Sequence, residues 1–335
     1  MPLPNNIQVE LVQGCNRCCD FCGIHSLGKQ ARKPKLMPLE LVTELAVGLG
    51  KWKGFDRKRV EFAMHGEPTL FHNLAMPIIA FRANLPQAQL QLTSNGIVPR
   101  KCGAGYVAQL FADGLNILIL DMYSHQEETV ELAKEAKAID NTIQVYDYYR
   151  HSFNPYHYHN QHVRVIVLMR NLGAESGKRA ARKILNHAGN ANAKVLKHKY
   201  GVEPLRAPLQ KKCSRPFREI VVHHDGTIPV CCLDWRHECI MGSFPTSGSL
   251  EEIWNGELFG AARKLLSSGN RSFVPCYRCD YNGGFRLGLL PEPWPRTKNA
   301  LKKLEEVWIT HNRGSGDPFH AGEYYKRRKG IRDFV

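Results

Sequence analysis

The chain has no apolar run approaching the eighteen or so residues of a membrane-spanning helix, which excludes an ordinary helical span. Its start, MPLPNNIQVELVQG, lacks the basic residues and apolar stretch of a secretory signal, so the cytoplasm is the expected location and no membrane is expected as a partner. Neither an internal repeat nor a low-complexity tract is present, which excludes solenoid and fibrous architectures. Acidic side chains are scarce beside basic ones, 31 against 46, and the formal net charge is +15. Such an excess favours an acidic partner, nucleic acid first. A plain solvated basic surface would give the same count.

Eleven cysteines stand out against this background. In a reducing compartment they do not form a disulfide framework, and metal or cluster ligation is the alternative. Their positions support it. Cys15, Cys18, Cys19 and Cys22 crowd one end, and Cys213, Cys231, Cys232, Cys239, Cys276 and Cys279 crowd the other. Cys102 stands alone and reads as a small buried hydrophobe.

Hydrophobic residues at 43% and charged residues at 23% describe an ordered globular protein, and 335 residues suffice for a barrel-sized domain plus a smaller one. Short apolar runs predict strands at Ile7–Val12, Arg59–Met64, Leu90–Thr93, Leu115–Leu120, Ile143–Tyr146, Val163–Met169 and Lys194–Lys197. Amphipathic stretches between them predict helices at Pro38–Leu49, Leu74–Ala83, Tyr106–Ala112, Glu127–Lys137 and Lys178–Ala188. Strand and helix in alternation mean βαβ units and a parallel sheet, hence an α/β fold with a partial (β/α)6 TIM-like barrel. After Pro204 the pattern changes. Residues 211–290 are Gly- and Cys-rich and read as a small α+β domain, with a hairpin over Ile220–Val230 and a helix over Leu250–Leu266. Residues 1–210 would then be the core, and 291–335 a basic tail with a helix at Thr297–Trp308 and the run Lys326–Lys329.

The segment Cys15-Asn16-Arg17-Cys18-Cys19-Asp20-Phe21-Cys22 directly follows the first predicted strand. Three thiolates on one short loop can hold three irons of a cubane 4Fe–4S cluster and leave the fourth iron open to an outside ligand. A structural zinc site is the competing reading of four close cysteines. Cys15, Cys19 and Cys22 fit the CxxxCxxC register, in which the loop resembles the radical S-adenosylmethionine (SAM) superfamily; Cys18 falls outside it. The resemblance implies that the open iron binds SAM and that Phe21 lies against the adenine. Met64-His65-Gly66-Glu67-Pro68 resembles the superfamily's GGEP motif, with His65 in place of its first glycine, which implies contacts from Gly66, Glu67 and Pro68 to the SAM amino group. Thr93-Ser94-Asn95-Gly96 resembles the TNG turn and brings in Ser94 and Asn95, and Asn171 follows a strand where relatives often keep asparagine. Each motif closes a predicted strand, at the face where barrel chemistry is assembled. Relatives often place a serine on the fourth strand against the ribose. Ile119 aligns there, leaving Asp121 or Ser124 to substitute.

Cys213, Gly226, Cys231 and the pair Cys276-Tyr277-Arg278-Cys279 supply four thiolates, enough for a fully ligated second cluster or for a zinc ribbon. With Cys231–Asp234 and Leu250-Glu251-Glu252-Ile253-Trp254, this half resembles the SPASM and shorter twitch extensions of radical SAM enzymes. No cysteine follows Cys279, which implies the twitch-type iron–sulfur domain with one auxiliary 4Fe–4S cluster. Cys232 and Cys239 are left over, Cys232 as a rival to Cys231.

The resemblance spans residues 7–285 and implies SAM, two 4Fe–4S clusters and a reductant such as flavodoxin or ferredoxin. It implies a 5′-deoxyadenosyl radical that abstracts hydrogen in a dehydrogenation or rearrangement. Basic groups at Lys29–Lys35, Lys178–Lys183 and Lys326–Lys329 direct the expectation towards a nucleic-acid or modified-nucleotide substrate. A peptide or protein side chain is the alternative, and a non-catalytic zinc-bearing nucleic-acid-binding protein is the reading from another class. Tyr156–His162 reads as a polar loop.

Overall fold

The computed structural model describes residues 2–24, 28, 33–123, 125–147, 163–170, 184–283, 302–304 and 306. Asn171, Ser124, the histidine tract at 156–162, the basic groups at 178–183 and the run at 326–329 lie outside them.

One seven-stranded sheet organises the chain. Its strands are β1 (Asn6–Val9), β4 (Arg59–Phe62), β5 (Gln89–Ser94), β6 (Ile117–Met122), β7 (Gln144–Asp147), β8 (Val165–Arg170) and β9 (Glu219–Val222), while β2 (Val12–Gln13) and β3 (Lys35–Leu36) form a separate antiparallel pair. They lie side by side in the order β7-β8-β6-β5-β4-β1-β9, and every pairing is parallel. Parallel neighbours need crossovers, which α1 (Leu39–Lys51), α2 (Ala75–Asn84), α4 (Ala104–Ala112) and α5 (Gln126–Ile139) provide. Val42, Leu45, Ala46 and Leu49 form the buried face of α1, the i, i+3, i+4, i+7 stripe that a helix needs to cover a sheet. This is the α/β, partly closed barrel that alternating strand and helix segments predict.

Two features of the order depend on side-chain character. β8 enters between β6 and β7 because Val165, Ile166, Val167 and Leu168 are buried, whereas β7, with Gln144 and Asp147, is more exposed and takes the edge. At the other edge β9 comes from the Cys-rich segment and pairs with β1, Ile7 opposite Ile220 and Val9 opposite Val222. Sheet and C-terminal segment therefore share one hydrophobic core, with Ile7, Val222, Phe259 and Phe273 all buried in it.

Several local expectations are corrected. Lys194–Lys197 is not a strand but part of helix α6 (Ala193–Tyr200). Asn192 caps it through Oδ1, accepting from the Lys194 and Val195 amides at 3.1 and 3.2 Å, and Gly201 ends it at φ 66°. The turn in Ile220–Val230 forms around Gly226, at φ 84°, but its arms diverge. β9 joins the large sheet, while β10 (Thr227–Pro229) pairs antiparallel with β11 (Ile240–Ser243). The helix over Leu250–Leu266 is two, α8 (Leu250–Asn255) and α9 (Glu257–Ser267), separated by extended Gly256. Of Lys178–Ala188, the described residues 184–188 are not helical. Cys102 closes the short helix α3 (Ile97–Cys102) and is exposed rather than buried.

Arg263 on α9 ties this second unit together. It is fully buried, donates from Nε to the Pro216 carbonyl at 2.6 Å and from Nη1 to the Trp254 carbonyl at 2.7 Å, and sits 4.0 Å above the Trp254 ring. Burial pushes its pKa down to about 9. Arg263→Met leaves two buried carbonyls unpaired, at about 1–3 kcal/mol each. We expect a loss of roughly 2–4 kcal/mol, read as a lower urea midpoint.

Candidate functional site: two cysteine-lined cavities

β1 ends in a loop that carries Cys15, Cys19 and Cys22. The loop is held by an exchange of backbone bonds with the end of β4, Gly14 N to His65 O at 3.1 Å and Glu67 N to Gly14 O at 2.9 Å. That approach requires glycine at 66, since a Cβ there would stand 2.1 Å from the Val12 carbonyl and 2.5 Å from that of Gly14. Cys15, Cys19 and Cys22 open on one cavity, and Cys18 is exposed. Burial pushes the Cys15 thiol up to about 11, the Cys22 thiol up to about 12, and the Cys19 thiol upward. Three half-buried thiols that resist ionisation alone, on one wall of one cavity, fit a cationic metal group that would hold them as thiolates.

The remaining wall is polar and comes from the C-terminal ends of β4, β5 and β6. Glu67 is buried, and its carboxylate accepts from the Thr69 amide at 3.1 Å, the Thr69 hydroxyl at 2.5 Å and the Asn95 amide at 2.7 Å. Burial raises its pKa against the pull of these donors. Pro68 does not line the cavity; it opens the 3-10 turn Pro68–Leu70 that Glu67 caps. Ser94 accepts from the Gly96 amide at 3.1 Å, and Asn95 Nδ2 donates to Asn16 Oδ1 at 2.8 Å, which joins the TSNG turn to the cysteine loop. Asp121 faces the cavity, with burial pushing it up to about 7, and accepts from the Tyr123 hydroxyl at 3.1 Å. Ile119 instead packs against the Ile117, Val165 and Val167 cluster. Phe21 also lines the cavity and meets Tyr123 at 5.9 Å and Tyr200 edge-on at 6.2 Å. The Tyr200 hydroxyl donates to Asp20 Oδ1 at 2.6 Å and so braces the loop from α6.

Three wall residues were not anticipated from the sequence. Arg17 and Tyr123 pair through a guanidinium 5.0 Å from the ring. Trp235 comes from the C-terminal unit, packs on Ile24, Cys15 and Cys22, and stacks on His65 at 4.1 Å. Its only sequence signal is its place one residue beyond Cys231–Asp234. Its fit explains Gly23, where a Cβ would meet the indole at 2.6 Å.

The second cavity, a narrow one, is lined by Cys213, Cys231, Cys276 and Cys279 together with Arg215, Arg271 and Tyr281. Burial raises all four thiols, Cys279 to about 11. Cys232 points elsewhere, with its sulfur 2.6 Å from Arg215 Nη1 and 3.2 Å from Glu219 Oε1. Cys239 is buried outside this wall, and its amide donates to Asp234 Oδ2 at 2.8 Å. Buried Arg271 joins the cysteine-bearing strands of chain, donating to the carbonyls of Lys211 at 2.7 Å, Lys212 at 3.1 Å and Tyr281 at 2.7 Å.

Comparison with known proteins agrees with these geometries. Residues 213–280 match the SPASM family, an iron–sulfur cluster-binding domain. A stretch of 142 residues is 28% identical to the GTP 3′,8-cyclase of Paenarthrobacter nicotinovorans; the match covers 41% of this chain and 37% of that enzyme. Among solved structures, BtrN in complex with AdoMet and 2-DOIA matches with a TM-score of 0.59 at 18% identity, covering 83% of this chain and 94% of that one. BtrN in an open conformation matches with a TM-score of 0.53 over 85% of this chain and 99% of that one, also at 18% identity. These two share the fold. The chain is thus an α/β barrel protein with an iron–sulfur domain at its C-terminal side. The matched domain covers residues 213–280, the shared fold covers most of the chain, and the cysteine loop lies at the end of the first strand of that fold. Among the described residues no helix is long and apolar enough to cross a membrane.

Arg271 yields the test of the second cavity. Arg271→Met unties the carbonyls of Lys211, Lys212, Cys279 and Tyr281, and should lower bound iron to roughly half of a two-cluster content of about eight per chain. Iron analysis after anaerobic desalting reads the loss.

Proposed function

We propose that this chain is a radical SAM enzyme in which Cys15, Cys19 and Cys22 hold the SAM-binding 4Fe–4S cluster, and Cys213, Cys231, Cys276 and Cys279 hold one auxiliary cluster. The supporting observation is the cavity that has three thiols on one wall and Glu67, Ser94, Asn95 and Asp121 on the others. A reduced cluster on these cysteines, together with SAM, would supply a 5′-deoxyadenosyl radical for hydrogen abstraction. The residues do the rest. Glu67, its carboxylate fixed by three donors, presents an acceptor to the SAM amino group. Asp121, at the end of β6, takes the ribose position that Ile119 does not reach. Phe21, held between Tyr123 and Tyr200, offers a face to the adenine, and Trp235 and Ile24 keep water from the cysteine side. A flavodoxin or ferredoxin is the reductant of this reading.

For the substrate, the net charge of +15 and the partial likeness to a GTP cyclase support a nucleotide-derived or nucleic-acid group. A polyanion would be drawn to Arg17 on the cavity wall and to Lys33 and Lys35 after the cysteine loop.

The register of the loop sets the first test. With SAM and dithionite under anaerobic conditions, Cys18→Ala should form 5′-deoxyadenosine at close to the parent rate, whereas Cys15→Ala, Cys19→Ala and Cys22→Ala should form none. An inactive Cys18→Ala beside an active Cys19→Ala overturns the assignment. The substrate is tested by oligonucleotide binding across a salt series. The logarithm of affinity should fall by roughly 0.7–0.9 per phosphate contact for each decade of salt. A flat series with no binding at low salt turns the reading towards a peptide.

A further inference from the structure

Directly behind the cavity, the ends of three adjacent parallel strands bring together a group that neither cysteine set uses. Glu10 follows β1, His65 follows β4, His223 follows β9, and His237 reaches in from the loop between β10 and β11. One ligand atom from each lies within 4.8 Å of the others. Glu10, His65 and His223 are almost wholly buried.

The hydrogen bonds among them leave a gap that calls for a positive charge. His65 Nε2 lies 2.9 Å from the Cys232 carbonyl oxygen. A carbonyl only accepts, so Nε2 carries the hydrogen and Nδ1 of the neutral ring is a bare lone pair. That lone pair stands 3.3 Å from Glu10 Oε1, also an acceptor, and neither atom has a hydrogen-bond partner. His223 Nδ1 and His224 Nδ1 lie 3.2 and 3.1 Å from Glu10 Oε2, which also accepts the His224 amide at 3.1 Å. With His223 Nδ1 donating, His223 Nε2 is a second buried lone pair, likewise unpartnered. The His237 ring is stacked 3.8 Å from that of His223, its Nδ1 facing Thr227 Oγ1 at 3.4 Å and Asp225 Oδ2 at 4.0 Å.

We propose that Glu10, His65, His223 and His237 bind one divalent ion of the zinc type, with the four side chains completing its shell. Three imidazoles and a carboxylate are a zinc ligand set with bonds of about 2.0–2.2 Å, which puts tetrahedral ligand atoms roughly 3.4 Å apart. The separation of His65 Nδ1 from Glu10 Oε1, 3.3 Å, already has that value. Metal-bound histidines donate their other ring hydrogen to a carbonyl or carboxylate, as His65 does to Cys232 and as His237 Nδ1 is placed to do towards Asp225. Four protein ligands close the shell and three of them are buried, so the site's role is to hold rather than to react. It staples β9 and the His237 loop of the C-terminal unit to the strand ends that carry the cysteine loop and Glu67. The replacement of the first glycine of the GGEP pattern by His65 supplies one of its ligands. This inference needs neither SAM cleavage nor a substrate.

The test uses the full chain with its iron in place, incubated anaerobically with one equivalent of Zn2+ and desalted. About one zinc per chain should remain, and X-ray absorption at the zinc edge should show only nitrogen and oxygen neighbours, with imidazole outer-shell scattering. His237→Gln, at the most exposed ligand, should lower zinc affinity by at least roughly tenfold with iron content unchanged. No retained zinc overturns the proposal, and leaves a shared proton between His65 and Glu10 to fill the gap. Sulfur neighbours overturn it too, by moving the zinc to a cysteine set, as does undiminished zinc in a folded His237→Gln. The absorption measurement on the parent chain decides the matter even where the variant fails to fold.

Discussion

The contact on which the site depends is the backbone approach of Gly66 to Val12 and Gly14. Two short bonds there bring the end of β4 against the start of the cysteine loop, at a distance that no side chain at 66 would permit. Everything around the first cavity is placed from it. Glu67, the next residue, turns its carboxylate towards Asn95, and Asn95 in turn reaches back to Asn16 within the loop. The three strand ends and the cysteines are thus one hydrogen-bonded ring. The polar wall is built before any cofactor arrives, so little ordering is left to be done on binding.

The second constraint is electrostatic. Both cavities hold thiols that burial keeps protonated, and each has cationic or donor groups near them: Arg17 at the first, Arg215 and Arg271 at the second. Arg271 spends its hydrogens on backbone carbonyls and so fixes the cysteines' positions as well as their surroundings. Arg215 attends to Cys232 and Glu219. A cysteine adjacent to a cavity cysteine is thereby drawn off to a different partner, which separates Cys231 from Cys232 in space although they are neighbours in sequence.

What was legible in the sequence followed local pattern. The strands from β1 to β8 in the large sheet and the helices α1, α2, α4 and α5 announce themselves by periodicity, and the cavity wall by short motifs at strand ends. Helix α6 has local signals in its caps, Asn192 at one end and Gly201 at the other, but its short basic-apolar run Lys194–Lys197 suits a strand equally well. The remaining misses are tertiary. Nothing in Glu219–Val222 says that it pairs with β1 rather than with β10, since a strand's apolar residues suit either sheet. Trp235 and the histidines around Glu10 are scattered over more than two hundred residues, and only the fold makes neighbours of them.

Strand β9 closes the account of how the two halves relate. It covers the outer edge of β1, whose Asn6–Val9 backbone would otherwise offer a row of unpaired amides and carbonyls beside an apolar face. A barrel ending near residue 210 would expose that edge to any other extended chain, including another copy of itself. The C-terminal unit therefore moves the sheet's open edge from β1 to its own short strand β9, and the two halves share one sheet and one core.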